Sequence, residues 1–168
     1  MAAGKTYEPI STQTLSSNQS SVTFSSIPQT YTDLVLVMWT KPYPSSEGSI
    51  KVNYNSDTGS NYSNTFLTGE SSGAISGRNS NGTSIGVSYG NSLNNPRQPI
   101  YIVNIMNYSN TTTYKTSLTR TSANDVYVDG WVGLWRSTSA ITSITINVTY
   151  IFDIGAGSTF TLYGIKAA

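Results

Sequence analysis

The chain contains no cysteine and no histidine, and charged residues make up only 10% of it. Without thiols there is no disulfide framework and no thiolate metal site. Without imidazole, Ser-His-Asp and Cys-His nucleophile arrangements and the common His-based zinc sites are excluded within one chain. Nine Lys and Arg stand against eight Asp and Glu, a net charge of +1. The basic residues are scattered singly, so there is no stripe of the kind a phosphate backbone requires, and nucleic acid is not an expected partner. The longest apolar run, Leu34 to Trp39, is far shorter than the ~20 residues a spanning helix needs. Met1 to Thr6 lacks the apolar stretch of a secretory leader. We therefore expect a soluble protein, made in the cytoplasm without a signal peptide and not inserted in a membrane.

What the chain has in abundance is Ser, Thr, Asn and Tyr threaded through short alternating segments. Leu34 to Trp39 is continuously apolar and bounded by Thr32-Asp33 and Lys41-Pro42, which reads as a central strand buried on both faces. Ile50, Val52 and Tyr54 alternate with Lys51, Asn53 and Asn55, the pattern of a strand with one wet face. Further alternating segments are Tyr7 to Thr12, Ser20 to Ser25, Thr83 to Tyr89, Gln98 to Met106, Thr112 to Arg120, Asp129 to Trp135, Ile141 to Val148 and Ser158 to Lys166. Turn chemistry fills the gaps, as in Ile27-Pro28, Asn79-Ser80-Asn81-Gly82, Asn94-Asn95-Pro96 and Gly155-Ala156-Gly157. No window keeps a helical apolar period. The pattern predicts an all-β fold, an antiparallel, jelly-roll-like β-sandwich of about nine or ten strands. With 168 residues the chain suits one domain burying roughly two thirds of its unfolded surface. Residues 1–6 read as a flexible N-terminal arm and 7–168 as the sandwich, with Gly69 to Asn95 expected to be a long, polar excursion holding at most a weak hairpin near Ile85, Val87 and Tyr89.

Candidate chemistry is sparse. A glycosidase would need two carboxylates facing each other across a cleft, and Asp33, Glu47, Glu70, Asp125, Asp129 and Asp153 have no neighbourhood that distinguishes them from solvated turn residues. The loop Asn55-Ser56-Asp57-Thr58-Gly59-Ser60-Asn61 spaces oxygen ligands as calcium would want them, which makes Asn55, Asp57 and Asn61 metal candidates. It lacks a closing Glu, and Asx-turn hydrogen bonding explains the same residues. Trp39, Tyr43, Tyr89, Trp131 and Trp135 are candidates for partner or glycan contacts, since aromatic faces with polar rims suit sugars. Trp131 and Trp135 share one face of a strand with Gly133, while Val132 and Leu134 occupy the other, so that strand is more simply read as core or subunit contact. No cofactor is expected, and the Asn-X-Ser/Thr triplets are the chance product of an Asn-, Ser- and Thr-rich chain.

Five blocks carry a family resemblance: Tyr7-Glu8-Pro9-Ile10; Phe24 to Leu34 (FSSIPQTYTDL); Asn107 to Lys115 (NYSNTTTYK); Gly133 to Ile141 (GLWRSTSAI); and Ser158 to Lys166 (STFTLYGIK). In order and spacing they resemble a group of small virion structural proteins of tailed bacteriophages, many from aquatic and cyanobacterial hosts. The likeness runs from residue 7 to the C-terminus, and Gly69 to Asn95 has no matching block. It implies a non-enzymatic β-sandwich on the exterior of the particle and leaves capsid decoration and tail or fibre open. From the missing catalytic residues, the single-domain length and the N-terminal arm free to reach a neighbour, we expect a capsid decoration (cement) protein, a homotrimer contacting the major capsid protein without chemistry. The alternative is a tail or fibre-associated module that binds a receptor or host-surface glycan.

Overall fold

The computed structural model describes residues 6–41, 48–89, 98–123, 127–149 and 153–166. Among them are twelve strands and no helix: β1 (Tyr7–Thr14), β2 (Ser21–Phe24), β3 (Asp33–Trp39), β4 (Ile50–Tyr54), β5 (Tyr62–Glu70), β6 (Gly73–Gly82), β7 (Ile85–Gly86), β8 (Ile100–Met106), β9 (Lys115–Ala123), β10 (Tyr127–Trp135), β11 (Ile144–Val148) and β12 (Thr159–Ile165). None of the described residues forms a helix long and apolar enough to cross a membrane.

All pairings are antiparallel, in an eight-stranded sheet of order β1-β12-β3-β8-β9-β10-β5-β6 and a four-stranded sheet of order β2-β11-β4-β7. With β5, β6, β9 and β10 set aside, the sheets read β1-β12-β3-β8 and β2-β11-β4-β7. Successive strands then alternate between the two sheets except for β4 and β7, which pair within the small one, and this is the double Greek key of a jelly roll. Two hairpins are added to it: β9–β10 extends the large sheet beyond β8, and β5–β6 docks onto β10.

The expected sandwich is present with two strands more, β5 and β6. β6 falls in the Gly69 to Asn95 stretch expected to be a polar excursion, and no strand was expected over Tyr62 to Thr68; the geometry gives the reason. β6 is an edge strand with no layer over most of it, so backbone pairing to β5 and not a buried stripe makes it a strand. The excursion from Gly69 is therefore a hairpin turn and edge strand up to Gly82, and residues 90–97 lie outside the described ones, as does most of the N-terminal arm.

The core between the sheets takes Leu34, Leu36 and Met38 from β3, Tyr101, Val103 and Ile105 from β8, and Phe160 and Leu162 from β12; opposite lie Val22, Phe24, Ile50, Val52, Tyr54, Ile144 and Ile146. Each of these large side chains contributes about 1.5–3 kcal/mol by burial. β3 departs from expectation on part of its outer side, where Val37 and Trp39 are only half-buried although Val35 beside them is buried. β4 departs the other way. Asn53, expected on a wet face, is buried because its amide bonds the carbonyls of Asp57 and Thr83 and accepts from Asn147.

Candidate functional site

The added strands overhang the small sheet, and a cleft of about 460 Å³ opens where they do. One wall is the inner face of β5, β6 and β10, and the other is β4 with the segment around β7. Cross-strand register aligns Trp131, Phe66 and Gly77 in one row. Phe66 stacks on Trp131 at 4.6 Å between ring centroids and an interplanar angle of 22°, and Tyr89 lies against Phe66 at 5.1 Å. Two glycines make room for these rings. A Cβ at Gly77 would sit 2.7 Å from the Phe66 ring, and one at Gly86 2.6 Å from the Trp131 ring. Tyr89 is 37% exposed, Phe66 intermediate and Trp131 9% exposed, so the trio grades from a surface platform to a buried backing.

Amides and hydroxyls surround the aromatics. Asn64 holds the far wall: its amide donates to the Ser84 carbonyl (3.1 Å) and its Oδ1 accepts the Gly86 N–H (2.9 Å). Asn81 adopts a left-handed backbone (φ 60°), which Asn tolerates better than most residues, and its Oδ1 accepts from Arg136 at 3.2 Å. Asn79, Ser84, Ser88 and Lys51 also line the cleft. Among the described residues the lining contains one cation and no carboxylate.

Asp129 lies in the wall beneath Tyr89, whose N–H it accepts at 2.8 Å. Burial pushes its carboxyl above the usual range. The Tyr89 N–H and the nearby Thr68 and Trp131 side chains pull the other way, and the neighbouring Glu70 charge adds to the rise. Two carboxylates thus approach each other, on adjacent strands, but neither lines the cleft. Asp33 accepts the Asn107 N–H and Glu70 the Ser72 hydroxyl, both turn contacts; Glu47 and Asp125 lie outside the described residues.

The remaining sequence candidates separate. Trp135 is core: it stacks on Tyr62 (6.3 Å, 17°), meets Tyr54 edge-on (5.6 Å) and donates its indole N–H to Asp57 at 2.7 Å. Trp39 faces the outer side of the large sheet with Lys41 over its ring. Tyr43 is outside the described residues. Of the four described aromatics only Tyr89 and Trp131 come together, and Phe66, their link, went unmarked because nothing had placed β5. Asn55, Asp57 and Asn61 do not converge on a cation position. The Asn55 side chain bonds Ala140, Thr142 and Ser143, while the Asp57 carboxylate accepts from Gly59, Asn61 and Trp135. Burial alone would raise the Asp57 pKa, but those three donors outweigh it and hold it below the ordinary value. The loop is a hydrogen-bonded turn that clasps Trp135.

A second feature is the outer face of the large sheet. Leu67, Gly130, Arg120 and Ile102 form one row across β5, β10, β9 and β8; Val132 and Leu118 pair in the next, and Val128 faces Ser122 in the row on the other side. Leu67 is 59%, Val128 61% and Val132 47% exposed, and Leu118, Ile100 and Met106 are exposed as well. Aliphatic side chains on adjacent strands of one face are unusual on a lone soluble chain.

Neither a family model nor a curated protein matches the chain. Among solved structures, a protein of unknown function from Shewanella oneidensis MR-1 is similar at 11% identity, over 100% of this chain and 82% of that one, with a TM-score of 0.24. A likeness at that level carries no argument.

Proposed function

We propose that this chain is a non-enzymatic structural protein of the exterior of a tailed-bacteriophage virion, a capsid decoration protein that binds neighbouring subunits through the outer face of its large sheet. The observation that supports this most is the uncovered aliphatic face around Leu67, Leu118, Val128 and Val132, which gains free energy only when another surface removes it from water. The resemblance of five sequence blocks to phage virion proteins supplies the context. A small subunit of this kind gains avidity in a closed symmetric assembly, for which we propose a trimer seated on the major capsid protein.

Cryo-EM of purified particles tests the location, and density for this fold on the tail alone would overturn it. The contact is tested with a Leu67→Asp/Val132→Asp double variant added to particles that lack the protein. We expect loss of decoration with the fold retained; decoration equal to the parent protein's would remove the sheet face from the proposal. A second reading, a tail or fibre-associated receptor-binding module, is favoured by the aromatic cleft on the opposite side of the same sheet.

A further inference from the structure

We propose that the cleft between β6, β7 and β10 is a binding site for a neutral saccharide, with Phe66 and Tyr89 as the stacking platform and the side-chain amides of Asn79 and Asn81 as hydrogen-bonding partners. This holds whether the protein sits on a capsid or a tail and does not rest on the decoration role. Three properties converge. The first is shape: a concave space of about 460 Å³ falls within the 300–1,000 Å³ typical of small-ligand sites and is unlike the flat face that serves a protein partner. The second is the alternation of an apolar wall with amides. A pyranose presents C–H groups on one face and hydroxyls around its rim; aromatic rings take the former, and carboxamides, each both donor and acceptor, take the latter.

The third property is charge. Among the described residues Lys51 is the single ionised group of the lining and no carboxylate lines it. A polyanionic saccharide would find one cation, and a hydrolase would need two opposed carboxyl groups, so the site fits binding of an uncharged sugar without cleavage. Its walls are fixed before any ligand arrives. Asn64 ties β5 to the Ser84–Gly86 segment through two hydrogen bonds, and Gly77 and Gly86 let the Phe66 and Trp131 rings lie flat. Preorganisation of this kind limits the ordering cost that weakens sugar binding.

The test uses the intact protein and a panel of neutral di- and trisaccharides of glucose, galactose, mannose and N-acetylglucosamine, with sialylated counterparts, read by saturation-transfer NMR and tryptophan emission. At least one neutral member should saturate with a Kd of about 0.1–1 mM. Tyr89→Ala and Asn79→Ala should each weaken it about tenfold, and Leu67→Asp should leave it unchanged. Asn79 lies on an exposed edge strand, so its variant keeps the test valid if the Tyr89 segment rearranges. No saturation by any neutral sugar at about 10 mM, binding equal in both cleft variants, or tighter binding of the sialylated sugars would each overturn the proposal.

Discussion

Two halves of the same large sheet turn toward the interior, and they do so with different chemistry. In the jelly-roll half, the inward positions are Leu34, Leu36, Met38, Tyr101, Val103, Ile105, Phe160 and Leu162. In the added half they include Asn64, Thr68, Lys115, Ser117, Thr119, Thr121 and Asp129, equally buried. The Thr119 hydroxyl among them makes no hydrogen bond, and a buried group of that kind costs about 1–3 kcal/mol relative to a satisfied or apolar one. The jelly roll is built for burial. The extension gives up stability to keep a polar inner wall, and the cleft lies against that wall.

The contrast can be broken most forcefully in the jelly-roll half. Leu36→Ala, at a fully buried position of β3, should lower the unfolding free energy by about 2–5 kcal/mol in denaturant titrations; a loss no larger than that of an exposed substitution would show that the stability does not lie there. At the seam between the halves, Asp57→Ala orphans the buried Trp135 indole together with the Gly59 and Asn61 donors, for an expected loss of about 2 kcal/mol. The same carboxylate has a pH signature. Its folded pKa lies below the unfolded value, so its contribution is present above that unfolded value and disappears as pH falls through the folded one. Acid melts of Asp57→Asn should lack this component.

Within the extension the effects shrink and change sign. Thr119→Val replaces a buried, unbonded hydroxyl by a methyl and should be neutral or stabilising by up to about 1 kcal/mol; a large destabilisation would show that the hydroxyl has a partner and that the polar wall is structural. Asp129 should give the smallest change. Its folded pKa is raised above the unfolded value, so the native state binds more protons between the two and stability falls as pH rises through that window. Asp129→Asn keeps an acceptor for the Tyr89 N–H and should flatten that slope in pH-dependent thermal melts. A steeper slope would assign the window to another group.

How legible each part was follows from the same contrast. The jelly-roll strands announce themselves, because alternation such as Ile50, Val52, Tyr54 is what burial of one face imposes. β9 and β10 were legible too, since β10 carries Trp131 and Trp135 inward and Val132 and Leu134 outward. β5 and β6 were not: Tyr62 to Thr68 was marked by no strand pattern and the Gly-, Ser- and Asn-rich stretch from Gly69 reads as a polar excursion, and only the register with β10 makes them strands. The cleft was lost with them, as Phe66 and Asn79 are unremarkable until those strands are placed. The oxygen-rich loop around Asp57 has the composition of a cation site, yet its oxygens are occupied by donors that sequence spacing cannot show.

By itself, then, the sequence determined that this protein is an antiparallel β-sandwich without thiol or imidazole chemistry, because strand periodicity and residue absence are local properties of the chain. The tertiary structure alone decided which aromatics meet, which carboxylates are spent on turns, and which aliphatic residues stay uncovered. Those depend on pairings between distant segments, such as Phe66 with Trp131, and a pairing across the sheet leaves no local mark on either strand.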